Sequence, residues 1–118
     1  MCYSRSLNIS SNSKIPGISF YLPNKVAIKF KNPFIHGSLM INKELLLKFG
    51  GYDERFIYAQ DYKLAYDLIQ NNVKIKNINK LLYQLNTKNN ISTKFSEKQK
   101  YFAECVRRNI NPENNFRN

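Results

Sequence analysis

Gln60-Asp61-Tyr62-Lys63-Leu64-Ala65-Tyr66-Asp67-Leu68-Ile69-Gln70 carries the clearest periodicity in the chain. Leu64, Ala65, Leu68 and Ile69 recur at the spacing that lines one side of a helix, so an amphipathic helix is expected from about residue 60 to residue 70. Just upstream, Asn42 is placed to cap a shorter helix, with Glu44 in its first turn where the helix dipole favours negative charge. Leu45, Leu46 and Phe49 supply its apolar face, and Gly50-Gly51 ends it with residues that tolerate positive φ. Downstream, Val73 to Ile78 and Leu81 to Leu85 read as two short strands, followed by a polar stretch from Asn86 to Thr93. Ser96-Glu97-Lys98-Gln99 has the form of a capping box opening a last helix through about Arg108. Tyr101, Phe102, Cys105 and Val106 would dock it on the body, and Arg107-Arg108 suit its C-terminal end. The tail from Asn109 onward reads as polar and loose.

The N-terminal third is less regular. Met1 to Lys14 is Ser- and Asn-rich without a period and reads as a loose lead-in. Gly17 to Leu22 is a short β-prone run closed by Pro23-Asn24, a turn signal. Lys25 to Lys31 alternates, with Val26, Ile28 and Phe30 on one face and Lys25, Lys29 and Lys31 on the other, as in a half-buried strand. Asn32-Pro33 breaks it, and Phe34 to Ile41 reads as a more deeply buried strand. The fold class expected is α/β: a short mixed sheet with packed helices and a C-terminal helix. Residues 1–94, with 1–14 as the lead-in, form one body, and residues 95–118 form the last helix and tail.

Composition narrows the function classes. The 118 residues are 42% hydrophobic and 14% aromatic, enough for one modest core and too apolar for wholesale disorder. Apolar runs such as Leu45 to Leu47 are far too short to span a bilayer, and Arg5 to Lys14 is unlike a signal peptide. A cytoplasmic protein with reduced thiols at Cys2 and Cys105 is therefore expected. The two cysteines have no ligand spacing and His36 is the single histidine, so no zinc site is expected. A net charge of +11 and a pI near 9.8 point to an anionic partner: nucleic acid, membrane lipid or a phosphorylated substrate. Base composition offers another source for the charge, since Asn, Lys and Ile supply 43 of the residues, as AT-rich coding sequence does. Lys outnumbers Arg 14 to 5, whereas nucleic-acid recognition favours Arg forks.

Asp61 is the residue best placed for chemistry. It falls one turn before Leu64 and Ala65, on the inward side of its helix and near the positive end of the dipole. A carboxylate there, flanked by Tyr58, Gln60 and Tyr62, serves either as a helix cap or as a general base toward a hydroxyl. His36 lies in an apolar run, where a lone histidine is commonly a satisfied core residue. Gly37 within a strand pattern marks a bulge or a close approach by another group. Gly50-Gly51-Tyr52-Asp53-Glu54 is a helix stop and turn that could also wall a cleft.

The order of three segments adds to this. Asn32-Pro33-Phe34-Ile35-His36-Gly37-Ser38-Leu39-Met40, then Lys48-Phe49-Gly50-Gly51-Tyr52-Asp53-Glu54-Arg55-Phe56, then Ala59-Gln60-Asp61-Tyr62-Lys63-Leu64 resembles the family 2 glycosyltransferases of the GT-A fold. Asn71-Asn72-Val73-Lys74-Ile75, Leu81-Leu82-Tyr83 and Asn90-Ile91-Ser92 continue the pattern, so that the resemblance spans about residues 28 to 92. It implies a nucleotide-sugar-dependent transferase that inverts the anomeric carbon, with Asp61 as catalytic base. His36, Gly37, Ser38, Gly51, Tyr52, Asp53 and Gln60 would line the sugar and acceptor side of the cleft. Gln60 stands where the family's acidic residue commonly precedes the base, and Asn86 and Lys88 replace its usual Arg and His. In the family, an N-terminal βαβ region binds the nucleotide, and an Asp-x-Asp motif holds a divalent metal, Mg or Mn. This chain has no Asp-x-Asp, so metal and donor are expected only in a complete enzyme.

The chain therefore reads as the acceptor-side half of a GT-A domain, inactive alone, working in cell-surface glycan synthesis. Its expected partners are a sugar acceptor, a nucleotide-sugar donor, and a complementing N-terminal half or a second copy. The basic surface leaves peripheral contact with the inner membrane face open, and nucleic acid is disfavoured. The alternative is a small basic binding or scaffold module without catalysis.

Overall fold

The computed structural model describes residues 1–88 and 94–116. Its centre is a three-stranded mixed sheet in the order β2-β1-β3. β1 (Cys2–Asn8) pairs antiparallel with β2 (Ser13–Ile15) and parallel with β3 (Lys76–Leu85). The expected lead-in is thus the central strand. Ser4, Arg5, Ser6 and Asn8 are all buried, so the strand most enclosed by the fold is among the least apolar. Two of the Arg5 guanidinium nitrogens find partners far along the chain, while Arg5 Nε and Ser6 Oγ are buried with no hydrogen-bond partner among the described residues. Arg5 donates to Asn79 Oδ1 (3.2 Å) and to the Pro16 carbonyl (2.9 Å), with its guanidinium 4.8 Å from the centre of the Phe20 ring.

β3 is one strand where two were expected. Its seven partners in β1 face ten residues, and the surplus is taken up at irregularities on either side of Leu81. Bulges of this kind break the alternation of side chains, which is why the sequence pattern lapses at Asn79-Lys80.

Between β2 and β3 the chain is helical or looped. Ile18–Tyr21 forms a 3-10 turn where a strand was expected. Lys25 to Lys31 is not a strand either: α1 (Asn24–Ala27) starts after Pro23, whose fixed φ suits a helix start, and it continues into a turn. The alternation is misleading there, because Ile28 is fully buried while Phe30 is 71% exposed. Phe34 to Ile41 also departs from the expected strand. Phe34 is buried against Tyr3, their rings stacked at 4.0 Å, but His36–Ser38 is a 3-10 turn and Met40 makes only an isolated bridge to Cys2.

α2, α3 and α4 form where the sequence places helices. α2 (Lys43–Lys48) is capped by Asn42, whose Oδ1 accepts from the Leu45 amide at 3.2 Å, with Glu44 in its first turn. Gly50 and Gly51 end it at φ +80° and +73°, values that favour a residue without a Cβ. α3 (Gln60–Gln70) buries Tyr62, Leu64, Ala65, Leu68 and Ile69. α4 (Ser96–Arg108) buries Phe102, Cys105 and Val106 against it. Its cap position is Phe95 and makes no side-chain cap bond, so Ser96 is the first helical residue and the expected capping box does not form. The chain leaves α4 through Asn109 in the left-handed region. The tail is more tied than expected: Pro112 is buried, and the Glu113 amide donates to the Tyr101 hydroxyl at 3.0 Å.

The core joins Tyr3, Ile28, Phe34, Phe56, Tyr62, Ile69 and Phe102, so one face of the sheet, α3 and α4 share it. Cys2 and Cys105 are free thiols. Among the described residues no helix is long and apolar enough to cross a membrane. The Asn90-Ile91-Ser92 segment lies outside the described residues.

Candidate active-site groove

Asp61 is the second residue of α3. Ala59 holds the cap position, so Asp61 does not cap the helix. Its Oδ2 instead accepts a hydrogen bond from Asn32 Nδ2 at 3.0 Å. Asn32 is fixed in turn because its Oδ1 accepts from the Phe34 amide (3.2 Å), a turn that its position before Pro33 favours. The segment read from sequence as a strand break is therefore what orients the carboxylate.

Asp61 is half-buried and opens onto two adjoining hollows. The larger, about 540 Å³, runs between the Lys31–Gly37 segment and one face of α4. The smaller, about 360 Å³, is lined by His36, Tyr52, Ile57, Tyr58, Gln60, Asp61 and Gln99. His36, Tyr58, Asp61 and Gln99 border both, which makes them one groove with the carboxylate at its middle.

His36 is exposed and is not a core residue. Its Nε2 lies 2.8 Å from the Tyr52 hydroxyl, with the two rings edge to face at 5.6 Å. Burial first, then the negative charge of Asp61, push the Tyr52 hydroxyl above its ordinary titration range. It therefore stays a neutral donor beside the carboxylate. Gly37 is where another group comes close: a Cβ there would collide with the Tyr83 ring, whose hydroxyl oxygen would lie only 2.5 Å away.

The other expected site residues divide. Gln60 reaches the smaller hollow. Ser38 faces the sheet, its Oγ donating to the carbonyls of Ser4 (3.0 Å) and Ile35 (2.8 Å), so it anchors the His36 turn to β1. Gly51 and Asp53 line a separate hollow with Lys63 and Asp67. There Asp53 accepts two bonds from the Arg55 guanidinium, at 2.9 and 2.7 Å, and these hold its carboxyl below the usual range. Tyr52 is the member of that turn that enters the groove.

Three contributors escaped the sequence reading. Asn32 holds Asp61, and the Asx-Pro pair was its signal. Tyr3 is buried, and its hydroxyl is pushed far above the tyrosine range by burial and then by Asp61 and Tyr52. No local pattern announces it, because residues 1–14 carry no period and read as a loose lead-in. The third contributor is the face of α4 formed by Ser96, Gln99, Lys100, Ala103 and Arg107. Among the described residues no three His, Cys, Asp or Glu side chains gather to hold a metal. The chain matches no protein-family model, no curated protein and no solved structure.

Proposed function

We propose that this chain is the acceptor-side half of an inverting family 2 glycosyltransferase of the GT-A type, with Asp61 as general base. The observation that carries the reading is the setting of Asp61: a carboxylate held by Asn32, opening into a groove that it shares with His36, Tyr52 and Gln60. An acceptor hydroxyl placed there would give its proton to Asp61 as its oxygen forms the bond to the anomeric carbon. The nucleotide diphosphate would leave from the opposite side of the sugar, carrying away the electron pair of the broken bond. Tyr52 and His36 can hold the acceptor's neighbouring hydroxyls, and the helix dipole steadies the charge on the base between turnovers.

Donor and divalent metal belong, on this reading, to a complementing segment. β3 is an edge strand with Leu81, Leu82 and Tyr83 exposed, a surface that such a segment or a second copy would cover. The site of action is the cytoplasmic side, in contact with the membrane surface where acceptors are lipid-linked.

The test is a transfer assay with a panel of nucleotide sugars, on the chain alone and on the chain co-purified with the product of the coding DNA immediately upstream. The chain alone should be inactive. The assembled enzyme should lose about 10²–10⁴ of its turnover on Asp61→Asn. Unchanged turnover in Asp61→Asn would refute the role of the base, and turnover by the chain alone would refute the division of labour.

A further inference from the structure

We propose that the larger hollow beside Asp61 is an anion subsite, in which Lys31, Lys100 and Arg107 receive a phosphate group on the molecule whose hydroxyl meets Asp61. The placing of that hydroxyl rests on the function proposed above; the phosphate subsite does not.

Lys31 and Lys100 stand on opposite walls. Lys31 immediately precedes Asn32, the residue that holds Asp61. Lys100 and Arg107 are on the face of α4 that repeats through Ser96, Gln99, Lys100, Ala103 and Arg107, next to the face that docks through Phe102, Cys105 and Val106. The helix is thus glued down by one stripe and presents cations into the groove with the neighbouring one.

Arg107 is held in place by Glu104, which accepts at 2.6 and 3.0 Å, and by the Phe30 carbonyl at 3.5 Å. Its charge is largely answered by Glu104. Lys31 and Lys100 are exposed and make no ion pair with any described residue. Of the four charged residues lining this hollow among the described residues, Asp61 is the only anionic one. Two unanswered ammonium groups match the two charges of a phosphate monoester, whereas a carboxylate would neutralise only one. The apolar floor of Phe34, Ile35, Tyr58 and Leu85 thins the water around the anion and strengthens its attraction to both lysines. Asp61 repels the phosphate and so directs the uncharged end of the ligand toward itself. The volume suits a phosphorylated sugar or a lipid phosphate headgroup, not a nucleic-acid duplex.

The experiment is an amide NMR titration of the intact chain with inorganic pyrophosphate, glucose 1-phosphate and, as the uncharged control, glucose. The phosphates should shift amides around residues 31–37 and 96–107, and glucose should not. Lys31→Ala with Lys100→Ala should weaken phosphate binding at least about tenfold, while Lys14→Ala with Lys43→Ala, two exposed lysines elsewhere, should leave it within about twofold. Asp61→Asn should bind phosphate as well or better, which separates this subsite from the role of the base. Displacement of pyrophosphate by phosphatidic acid in phosphatidylcholine vesicles would assign a lipid-borne phosphate; no displacement would assign a soluble one. Equal losses in the two lysine pairs, shifts spread over the whole surface, or equal binding of glucose would overturn the proposal.

Discussion

Ile28 and Phe30 provide a sharp comparison, because the alternation of residues 25–31 puts both on one buried face while the fold separates them. Ile28 is fully buried in the cluster of Tyr3, Phe34, Tyr62 and Phe102, and its carbonyl accepts from the Tyr62 hydroxyl at 2.6 Å. Ile28→Ala removes three carbon groups, about 2.4 kcal/mol of transfer free energy at about 0.8 kcal/mol each, and leaves a cavity that raises the cost toward 3–4 kcal/mol. At about 2.1 cal/mol/K per residue of unfolding entropy, a chain of this size loses about 4 °C of Tm per kcal/mol. A drop of about 12–16 °C in a circular-dichroism melt is therefore expected. Phe30 is 71% exposed, and Phe30→Ala should change stability by less than about 0.5 kcal/mol, or about 2 °C. Urea midpoints with unchanged m-values would confirm that stability, not compactness, is being read. Equal losses in the two variants would refute the helical turn at residues 24–31 and restore the strand. A small loss in Ile28→Ala would refute the packing of that turn on α3 and α4.

Two further perturbations probe the core beneath the groove and its wall. Tyr3 titrates above the unfolded tyrosine, so its contribution to stability is complete below about pH 10 and is lost as pH rises further, since the unfolded chain then releases its proton first. Tyr3→Phe should flatten the fall of stability between about pH 10 and 12 in urea titrations, and an unchanged slope would refute the burial that raises the Tyr3 hydroxyl. Gly37→Ala should displace the Tyr83 ring, visible as shifted Tyr83 ring resonances, at a cost of about 1–3 kcal/mol. Tyr83→Ala should recover most of that cost in a double-mutant cycle, and additive losses would show that the two positions do not touch.

Elements whose information is local can be read from the residues alone. The bounds of α3, its buried stripe, the Asn42 cap and the Gly50-Gly51 stop of α2, and the docking stripe of α4 all follow from spacing and capping, which need only neighbours within a turn or two. The place of Asp61 in the first turn of α3 was legible for the same reason, whereas the close approach at Gly37 was one of two readings of a strand that the structure replaces with a 3-10 turn. The tertiary structure decided the rest. β1 is central because strands pair on both its sides, and its buried Arg5 is accommodated there because two distant groups, Asn79 Oδ1 and the Pro16 carbonyl, accept from its guanidinium. No pattern within residues 2–8 carries that information. The same is true of the groove: Asn32, His36 and Tyr52 lie 29, 25 and 9 positions from Asp61 in the chain, and packing alone brings them around its carboxylate.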